Sequence, residues 1–145
     1  MSNGSQIIVD SDAFVGLMWE RDDLHQRAKK TFYELRTQKV QLTTTSSVVL
    51  ETATVLSHRS GQKLAKQFLD DFIGAGEFPV IFISEPMQNE GLDLFRAQSK
   101  KGSSVTDCIN AAVCKRLNLS QIYSFDKVYP KAFGIKLIDT PESNE

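Results

Sequence analysis

The sequence predicts a three-layer α/β domain, in which helices cover both faces of a central parallel sheet. Apolar residues switch repeatedly between strand-like and helix-like periodicity along the chain, and strands that alternate with helices favour a parallel sheet. The segment FPVIFIS, residues 78–84, is almost entirely apolar, as expected of a strand that is covered on both faces. With 145 residues, 41% of them hydrophobic and 24% charged, the chain fits one globular domain. We predict a single domain over 1–145, with disordered tails at about 1–5 and 141–145.

The first half of the chain is predicted to alternate strands and helices. Helical periodicity is clear where Ala28, Phe32 and Leu35 recur among charged residues. Ser46 or Ser47 is expected to cap a later helix, because a serine oxygen can accept from the free amides of a first turn. In chain order, the predicted elements are a strand over 6–10, helices over 13–19 and 25–37, a strand over 40–44, and helices over 48–59 and 62–73.

The second half begins with the apolar strand over 78–84. Two helices follow, separated by the polar loop KKGSS, and two short strands come last. The predicted helices cover 85–99 and 104–117, and the predicted strands cover 121–125 and 135–138. In parallel α/β sheets, binding sites collect beyond the carboxyl ends of the strands.

Four acidic residues stand out by their surroundings: Asp10, Glu51, Asp107 and Asp126. The first ends a predicted strand, and the last directly follows one. Asp107 lies in the first turn of its helix. Glu51 shares a helical stripe with Val48 and Val55, and burying an unpaired carboxylate there would cost several kcal/mol, roughly. Because the helices of an α/β sheet cross the strand ends, all four side chains can converge in one cleft.

Each acid also has a plain structural explanation. Asp107 fits a first-turn acid that interacts favourably with the helix dipole. Asp126 fits a turn former, and Asp10 or Asp12 could cap the helix that follows the first strand. Even Glu51 could be a core carboxylate bonded to an arginine or to backbone amides. The four acids together are harder to explain in this way than any one of them.

Three segments in order carry a family resemblance: IIVDSDAFVGL, SSVVLETATVLSHR, and SVTDCINAAVCKRLNL running into IYSFDK. In this order they resemble the PIN-domain nucleases and, among them, the toxin ribonucleases of the VapC type. The likeness covers nearly the whole chain and implies a five-stranded parallel sheet. It matches the acids of the family to Asp10, Glu51, Asp107 and Asp126. Ser124 and Asp12 match secondary positions that often accompany the last and the first acid.

The resemblance implies a cleft that binds Mg²⁺ or Mn²⁺, with Asp10, Asp107 and Asp126 as ligands. Glu51 would position the attacking water or complete the metal shell. Oxygen ligands without His or Cys suit such hard ions, and the two histidines, His25 and His58, lie outside the acid motifs. The implied reaction is hydrolysis of RNA phosphodiester bonds, in which a metal ion activates water and stabilises charge on the phosphate. By family likeness the products would carry a 5′-phosphate and a 3′-hydroxyl.

Partner binding is predicted at local features, because a net charge of -1 gives no general attraction for nucleic acid. Lys100 and Lys101 precede the Asp107 helix and are predicted to contact RNA. Trp19 ends the apolar segment AFVGLMW and is predicted to line a groove for an antitoxin, since toxin members of the family bind one there. The resemblance also makes a homodimer an expectation to test.

The composition argues against secreted and membrane-bound proteins. Cys108 and Cys114 lie in one helical pattern without cysteines elsewhere, as expected of reduced thiols. No stretch approaches the roughly 20 apolar residues of a membrane span, and MSNGSQ does not fit a secretory signal. We therefore expect a cytoplasmic protein that does not bind membranes.

Two other functions stay open. A PIN-like fold could bind RNA or a protein partner without cutting. The D-S-D triplet after the first strand also resembles haloacid-dehalogenase phosphatases, although Phe14 stands where that family has Thr or Val. Asp70 and Asp71 fall in an amphipathic helix and do not supply the later acidic pair of those phosphatases.

Overall fold

A computed structural model describes residues 6–99 and 101–138 as a five-stranded sheet with helices on both faces. The strands are β1 (Gln6–Val9), β2 (Gln41–Thr45), β3 (Val80–Ile81), β4 (Gln121–Tyr123) and β5 (Lys136–Leu137). They lie in the order β3-β2-β1-β4-β5, and every neighbouring pair is parallel. The predicted fold class is confirmed. The predicted tails at 1–5 and 141–145 lie outside the described residues.

The helices connect these strands as the periodicity predicts. They are α1 (Ser11–Met18), α2 (His25–Thr37), α3 (Ser46–Arg59), α4 (Gln62–Gln67), α5 (Glu85–Arg96) and α6 (Val105–Arg116). Two π-helical segments, Phe68–Ile73 and Tyr129–Phe133, follow α4 and β4. In the described part of the chain, no helix is long and apolar enough to cross a membrane.

The central strand β1 is buried on both faces and divides the core in two. Successive side chains of a strand point to opposite faces, so Ile7 and Val9 enter one apolar cluster while Ile8 enters the other. The first cluster is rich in aromatic rings, with Phe14 edge-on to Phe68 at 5.1 Å and to Phe78 at 5.0 Å between ring centroids. Cys108 and Cys114 are buried free thiols, as predicted.

The third strand is shorter than predicted and is not covered on both faces. Only Val80 and Ile81 pair with β2, and both are half-buried. Phe78 enters the first cluster, whereas Phe82 is 77% exposed. The physical reason is the position of β3 at the edge of the sheet that the described residues form, where one side of the run meets solvent.

The predicted cap of α3 is wrong by one or two residues. Thr45, the last residue of β2, caps the helix by accepting a hydrogen bond from Val48 N at 3.2 Å. Ser46 Oγ instead accepts from Ile83 N at 3.0 Å, and so ties the start of α3 to the segment after β3. Strand and helix join without a loop, so the last strand residue does the capping.

Helix α6, which carries Asp107, packs tightly against α5 at Gly91. A Cβ placed on Gly91 would lie 2.6 Å from Ile109 Cγ1 and 2.8 Å from Ile109 Cα. Gly91→Ala is therefore expected to lower the free energy of unfolding by about 1–3 kcal/mol, although alanine is the better helix former. Urea unfolding measures this, with Asn89→Ala at an exposed position of α5 as the control. Equal stability of the wild type and Gly91→Ala would contradict this packing.

Candidate functional site

The carboxyl ends of β1, β2 and β4 bring polar residues to one edge of the sheet. Asp10 directly follows β1, and its amide donates to Tyr123 O at 3.0 Å, which places it beside the end of β4. Ser124 follows β4, and Thr45 ends β2. Because the strands are parallel, these residues lie together, and this is the edge at which α/β proteins place their binding sites.

Asp10 is buried at the centre of this edge, with 3% of its surface exposed. Its Oδ1 accepts from Ser11 N at 2.8 Å, which makes Asp10 the N-cap of α1, and from Asn110 Nδ2 at 3.1 Å. Its Oδ2 accepts from Ser124 Oγ at 2.8 Å. Burial, followed by the charge of Asp12, nevertheless raises the pKa of Asp10 to about 8. The bonds hold the carboxyl group in place without supplying a compensating positive charge.

Asp12 lies next to Asp10 and has one carboxylate oxygen without a partner. Its Oδ2 accepts from Phe125 N at 3.0 Å and lies 3.3 Å from Ser124 Oγ. Ser124 carries a single hydroxyl hydrogen, so it can donate to Asp10 or to Asp12 but not fully to both. Asp12 Oδ1 is buried and accepts no hydrogen bond. Burial raises the pKa of Asp12 to about 6, and the charge of Asp126 adds to this rise.

Asp107 reaches the same edge from the first turn of α6. It forms a capping box with Ser104, in which Ser104 N donates to Asp107 Oδ2 at 3.0 Å and Asp107 N donates to Ser104 Oγ at 3.1 Å. Its Oδ1 accepts from Tyr129 OH at 3.2 Å. Burial raises the pKa of Asp107, and the charge of Asp126 contributes. The capping box uses only Oδ2, so the other carboxylate oxygen is the one that contacts Tyr129.

Asp126 is exposed at the rim of the edge. Its amide donates to Ser124 Oγ at 3.1 Å, and its Oδ1 accepts from Val128 N at 2.9 Å. The second of these bonds is the turn-forming role that the sequence allows. The negative charge of Asp126 contributes to the raised pKa of Asp12 and to that of Asp107.

Glu51 faces a cleft and not the core. It is half-buried, and its Oε2 accepts from Ser11 Oγ at 3.0 Å. The cleft has a volume of about 200 Å³. The residues that line it are Ser11, Asp12, Val15, Asp22, Leu24, Glu51, Val55 and Arg59. We call the group of Asp10, Asp12, Asp107 and Asp126 the acidic edge. Glu51 is connected to it through Ser11, the residue between Asp10 and Asp12.

A family model described as the PIN domain matches residues 7–133 of this chain. The chain belongs to the PIN-domain family. The match confirms the resemblance on which the acid assignments rest. It spans β1 to the π-helical segment after β4, and so includes every acid of the edge.

Individual relatives of this PIN domain have sequences and structures in agreement with the match. A VapC ribonuclease from Archaeoglobus fulgidus is 28% identical over 122 residues, which are 82% of this chain and 76% of that protein. The crystal structure of VapC20 from Mycobacterium tuberculosis, a sarcin-ricin loop cleaving toxin, aligns with a TM-score of 0.80 and 21% identity, covering 92% of this chain and 99% of that chain.

Two further solved structures share the fold. VapBC2 from Rickettsia felis, bound to a DNA fragment from its promoter, aligns with a TM-score of 0.65 and 13% identity, covering 91% of this chain and 96% of that chain. A toxin-antitoxin complex from Klebsiella pneumoniae aligns with a TM-score of 0.60 and 14% identity, covering 88% of this chain and 93% of that chain. At these identities the likeness establishes the fold alone.

The acidic edge of this PIN domain suits a hard divalent ion by its chemistry. Its donors are carboxylate and hydroxyl oxygens, which Mg²⁺ and Mn²⁺ prefer. The unpartnered Asp12 Oδ1 and the raised pKa of Asp10 are both relieved by a nearby cation. Among residues 6–99 and 101–138, however, no group of three or more His, Cys, Asp or Glu side chains is arranged to hold a metal ion.

Sequence reasoning missed three residues that connect the acids of the PIN domain: Thr45, Asn110 and Tyr129. Asn110 is fully buried and bonds to Asp10, Thr45 and Tyr129. Tyr129 is also fully buried, and burial, followed by the charges of Asp10 and Asp107, raises its pKa well above the ordinary value of 10.0. One signal was available, because Asn110 is an amide within an otherwise apolar helical run and lies one turn after Asp107.

The structure describes two of the three residues that are predicted to bind partners. Lys100 lies outside the described residues. Lys101 is exposed in the loop before α6. Trp19 is half-buried and packs against the first apolar cluster, so part of its ring is in the core.

Proposed function

We propose that this PIN domain is an endoribonuclease that depends on Mg²⁺ or Mn²⁺ and serves as the toxin of a toxin-antitoxin pair in the cytoplasm. The observation that carries the proposal is the acidic edge, where a buried Asp10 and an unpartnered oxygen of Asp12 face the charges of Asp107 and Asp126. A stable fold gains nothing from such uncompensated carboxylates, whereas a cation site requires them. The VapC ribonuclease relative supports the same activity.

We assign the ion to Asp10, Asp107 and Asp126, with Asp12 and Ser124 beside them. When bound, a divalent ion would lower the pKa of a water molecule and offset negative charge on the scissile phosphate. Asp10 is suited to a ligand because three donors already fix its carboxylate. Glu51 faces the cleft with Oε2 held by Ser11, so it can accept a hydrogen from an attacking water or complete the metal shell. The products would carry a 5′-phosphate and a 3′-hydroxyl.

RNA would approach over a surface that is nearly neutral overall. Arg59 lines the cleft together with Glu51, and Lys101 is exposed in the loop that leads into α6. These cations, with Lys100, are the proposed contacts to phosphates outside the reacting position. A hairpin that contains the sarcin-ricin loop is the first substrate to test, because the structurally similar VapC20 cleaves that loop.

An antitoxin is the proposed protein partner. Similar folds occur in a toxin-antitoxin complex and in a VapBC structure. Trp19 is the proposed groove residue, next to the half-buried Leu17 and Met18 at the end of α1, and its half-buried ring leaves a face for a partner to cover. Homodimer formation is proposed as well, with Leu50 and Phe82, which are 71% and 77% exposed, as the apolar residues to examine.

Purified protein incubated with the hairpin is expected to cleave it in Mg²⁺ or Mn²⁺ and to stop when EDTA removes the ion. Sequencing of the fragment ends identifies the products, and the 5′ ends should carry phosphate. Asp10→Asn must abolish the same bands, which excludes a contaminating ribonuclease. Cleavage that survives EDTA, or that persists unchanged in Asp10→Asn, would refute the proposal.

Two observations favour the non-catalytic alternative, a PIN-like module that binds RNA or protein without cutting. The described residues hold no preformed group of metal ligands, and Asp126 is exposed with one oxygen engaged in a turn. Under that alternative the protein would retain RNA in a gel-shift assay and would leave every RNA tested intact in Mn²⁺.

A further inference from the structure

We propose that Asn110 and Tyr129 form a hydrogen-bonded bridge that holds Asp10 and Asp107 at a fixed separation and so sets the affinity of the site for its divalent ion. This inference rests on the proposed function. Asn110 Nδ2 donates one hydrogen to Asp10 Oδ1 at 3.1 Å and the other to Tyr129 OH at 3.0 Å. Tyr129 OH in turn donates to Asp107 Oδ1 at 3.2 Å. The bridge therefore begins at one proposed metal ligand and ends at another.

The direction of every hydrogen bond in the bridge follows from the groups at its ends. Asp10 offers only acceptors to Asn110 when it is ionised, so the NH₂ group of the amide must face it. The amide oxygen then faces Thr45, whose Oγ1 donates to it at 3.1 Å. Tyr129 has a single hydroxyl hydrogen and accepts from Asn110, so that hydrogen is directed to Asp107. No member of the bridge can rotate without losing a bond.

A purely structural role does not explain an amide at this place. The neighbours of Asn110 on α6 are apolar or small and buried, and an apolar residue would fill the position without needing partners. A buried amide is tolerated only when its donors and acceptor are satisfied, since an unpaired group loses its hydrogen bonds to water and gains none in return. The two amide hydrogens of Asn110 are satisfied by Asp10 and by Tyr129, and Tyr129 is in turn bonded to Asp107. The residue is thus matched to the two carboxylates.

The bridge also ties together elements that are distant along the chain. Asp10 follows β1, Thr45 ends β2, Asp107 and Asn110 lie on α6, and Tyr129 opens the π-helical segment after β4. A carboxylate held by such partners is pre-oriented for a metal ion, and removal of such partners typically lowers metal affinity by 10- to 100-fold. The bridge residues are therefore positioning residues, which act through the ligands and touch neither ion nor RNA.

Tyr129→Phe tests the bridge, because it deletes only the hydroxyl group that joins Asn110 to Asp107. Titration of Mn²⁺ into the full chain, followed by calorimetry, is expected to give a Kd at least about tenfold higher than that of the wild type. Saturating Mn²⁺ should restore most of the cleavage rate. Tyr123→Phe is the matched control: this ring is equally buried, and its hydroxyl donates to Ala28 O at 2.5 Å, away from the acids. Its Mn²⁺ affinity should stay within twofold of the wild type.

A second variant keeps the test decisive if Tyr129→Phe folds poorly. Asn110→Leu removes the bridge from its other end, and it should weaken Mn²⁺ binding to a similar extent. Because both substitutions break one connection, their effects on the Mn²⁺ Kd should not multiply in the double variant. Multiplied effects, or a Tyr129→Phe Kd within twofold of the wild type at a lowered melting temperature, would overturn the bridge. Failure of the wild type to bind Mn²⁺ at all would instead overturn the proposed function, and the bridge with it.

Discussion

Asp10→Asn is expected to reduce metal-dependent RNA cleavage about a thousandfold and, at the same time, to raise the melting temperature of the metal-free protein at pH 8. A thousandfold loss corresponds to about 4 kcal/mol of transition-state stabilisation, which is a reasonable contribution for a ligand of a catalytic ion. The gain in stability has a separate origin. Ionised Asp10 is buried next to Asp12 without a counter-charge, and the amide removes that repulsion.

The amide can keep or replace each hydrogen bond that the carboxylate of Asp10 makes. Its oxygen can keep the bonds from Ser11 N and Asn110 Nδ2, which both reach Oδ1 of the aspartate. Its NH₂ group would take the place of Oδ2 and donate to Ser124 Oγ. The hydroxyl hydrogen of Ser124 would then be free to donate to Asp12 Oδ2, which already lies 3.3 Å away. The fold should therefore survive the change intact.

Activity and thermal melting must be measured on the same preparation of Asp10→Asn. Asp71→Asn is the control, since it removes an exposed carboxylate far along the chain from the acids and should leave cleavage and melting temperature close to the wild type. A joint fall of activity and melting temperature in Asp10→Asn would mean that Asp10 is a structural cap of α1 and that its charge serves no ion. Only opposite changes support the proposed role.

The sequence was sufficient to predict the fold class, because local periodicity and strand burial determine how helices and parallel strands alternate. It placed Asp10 at the end of one strand, Asp126 after another and Asp107 in a first helical turn. In the structure Asp10 directly follows β1, Asp126 comes after β4 and Asp107 lies in the first turn of α6. The segment 78–84 shows the limit of such reasoning. Its apolar residues predict a covered strand, but coverage also depends on where the strand lies in the sheet, and β3 lies at the edge.

The residues that connect the acids could not be predicted from the sequence, for a different reason. Tyr129 lies in the segment YPKAF and looks like an ordinary core residue, because its partner Asp107 is distant in sequence. Likewise, the partners of Asn110, which are Asp10 and Thr45, become its neighbours only when α6 packs across the ends of β1 and β2. The proposed catalytic acids can be recognised by their charge, whereas the residues proposed to orient them are recognised only from their three-dimensional proximity.

The metal-free protein is expected to become less stable as the pH rises from 5 to 8, with a fall in melting temperature on the order of 10 °C. The pKa of Asp10 is raised from 3.8 to about 8 and that of Asp12 to about 6. The folded state therefore binds these protons more tightly than the unfolded chain does. Stability from this source is complete below a pH of about 4 and is lost as the pH rises through the folded-state pKa values. Carboxylates of ordinary pKa are largely ionised by pH 5, and comparison with Asp10→Asn assigns the remaining pH dependence to the acidic edge.

Two further experiments test whether this pH dependence arises at the acidic edge. Millimolar Mg²⁺ or Mn²⁺ should restore the melting temperature at pH 8 and have little effect at pH 5, because an ion binds the ionised carboxylates and competes with their protons. Asp10→Asn should flatten the pH profile of the metal-free protein, since the group with the highest raised pKa is gone. Differential scanning calorimetry in EDTA, repeated with added ion, measures both effects. A wild-type melting temperature that is level or rises between pH 5 and 8 would show that the buried carboxyl groups carry no uncompensated charge, and the main physical argument for a cation at this edge would be lost.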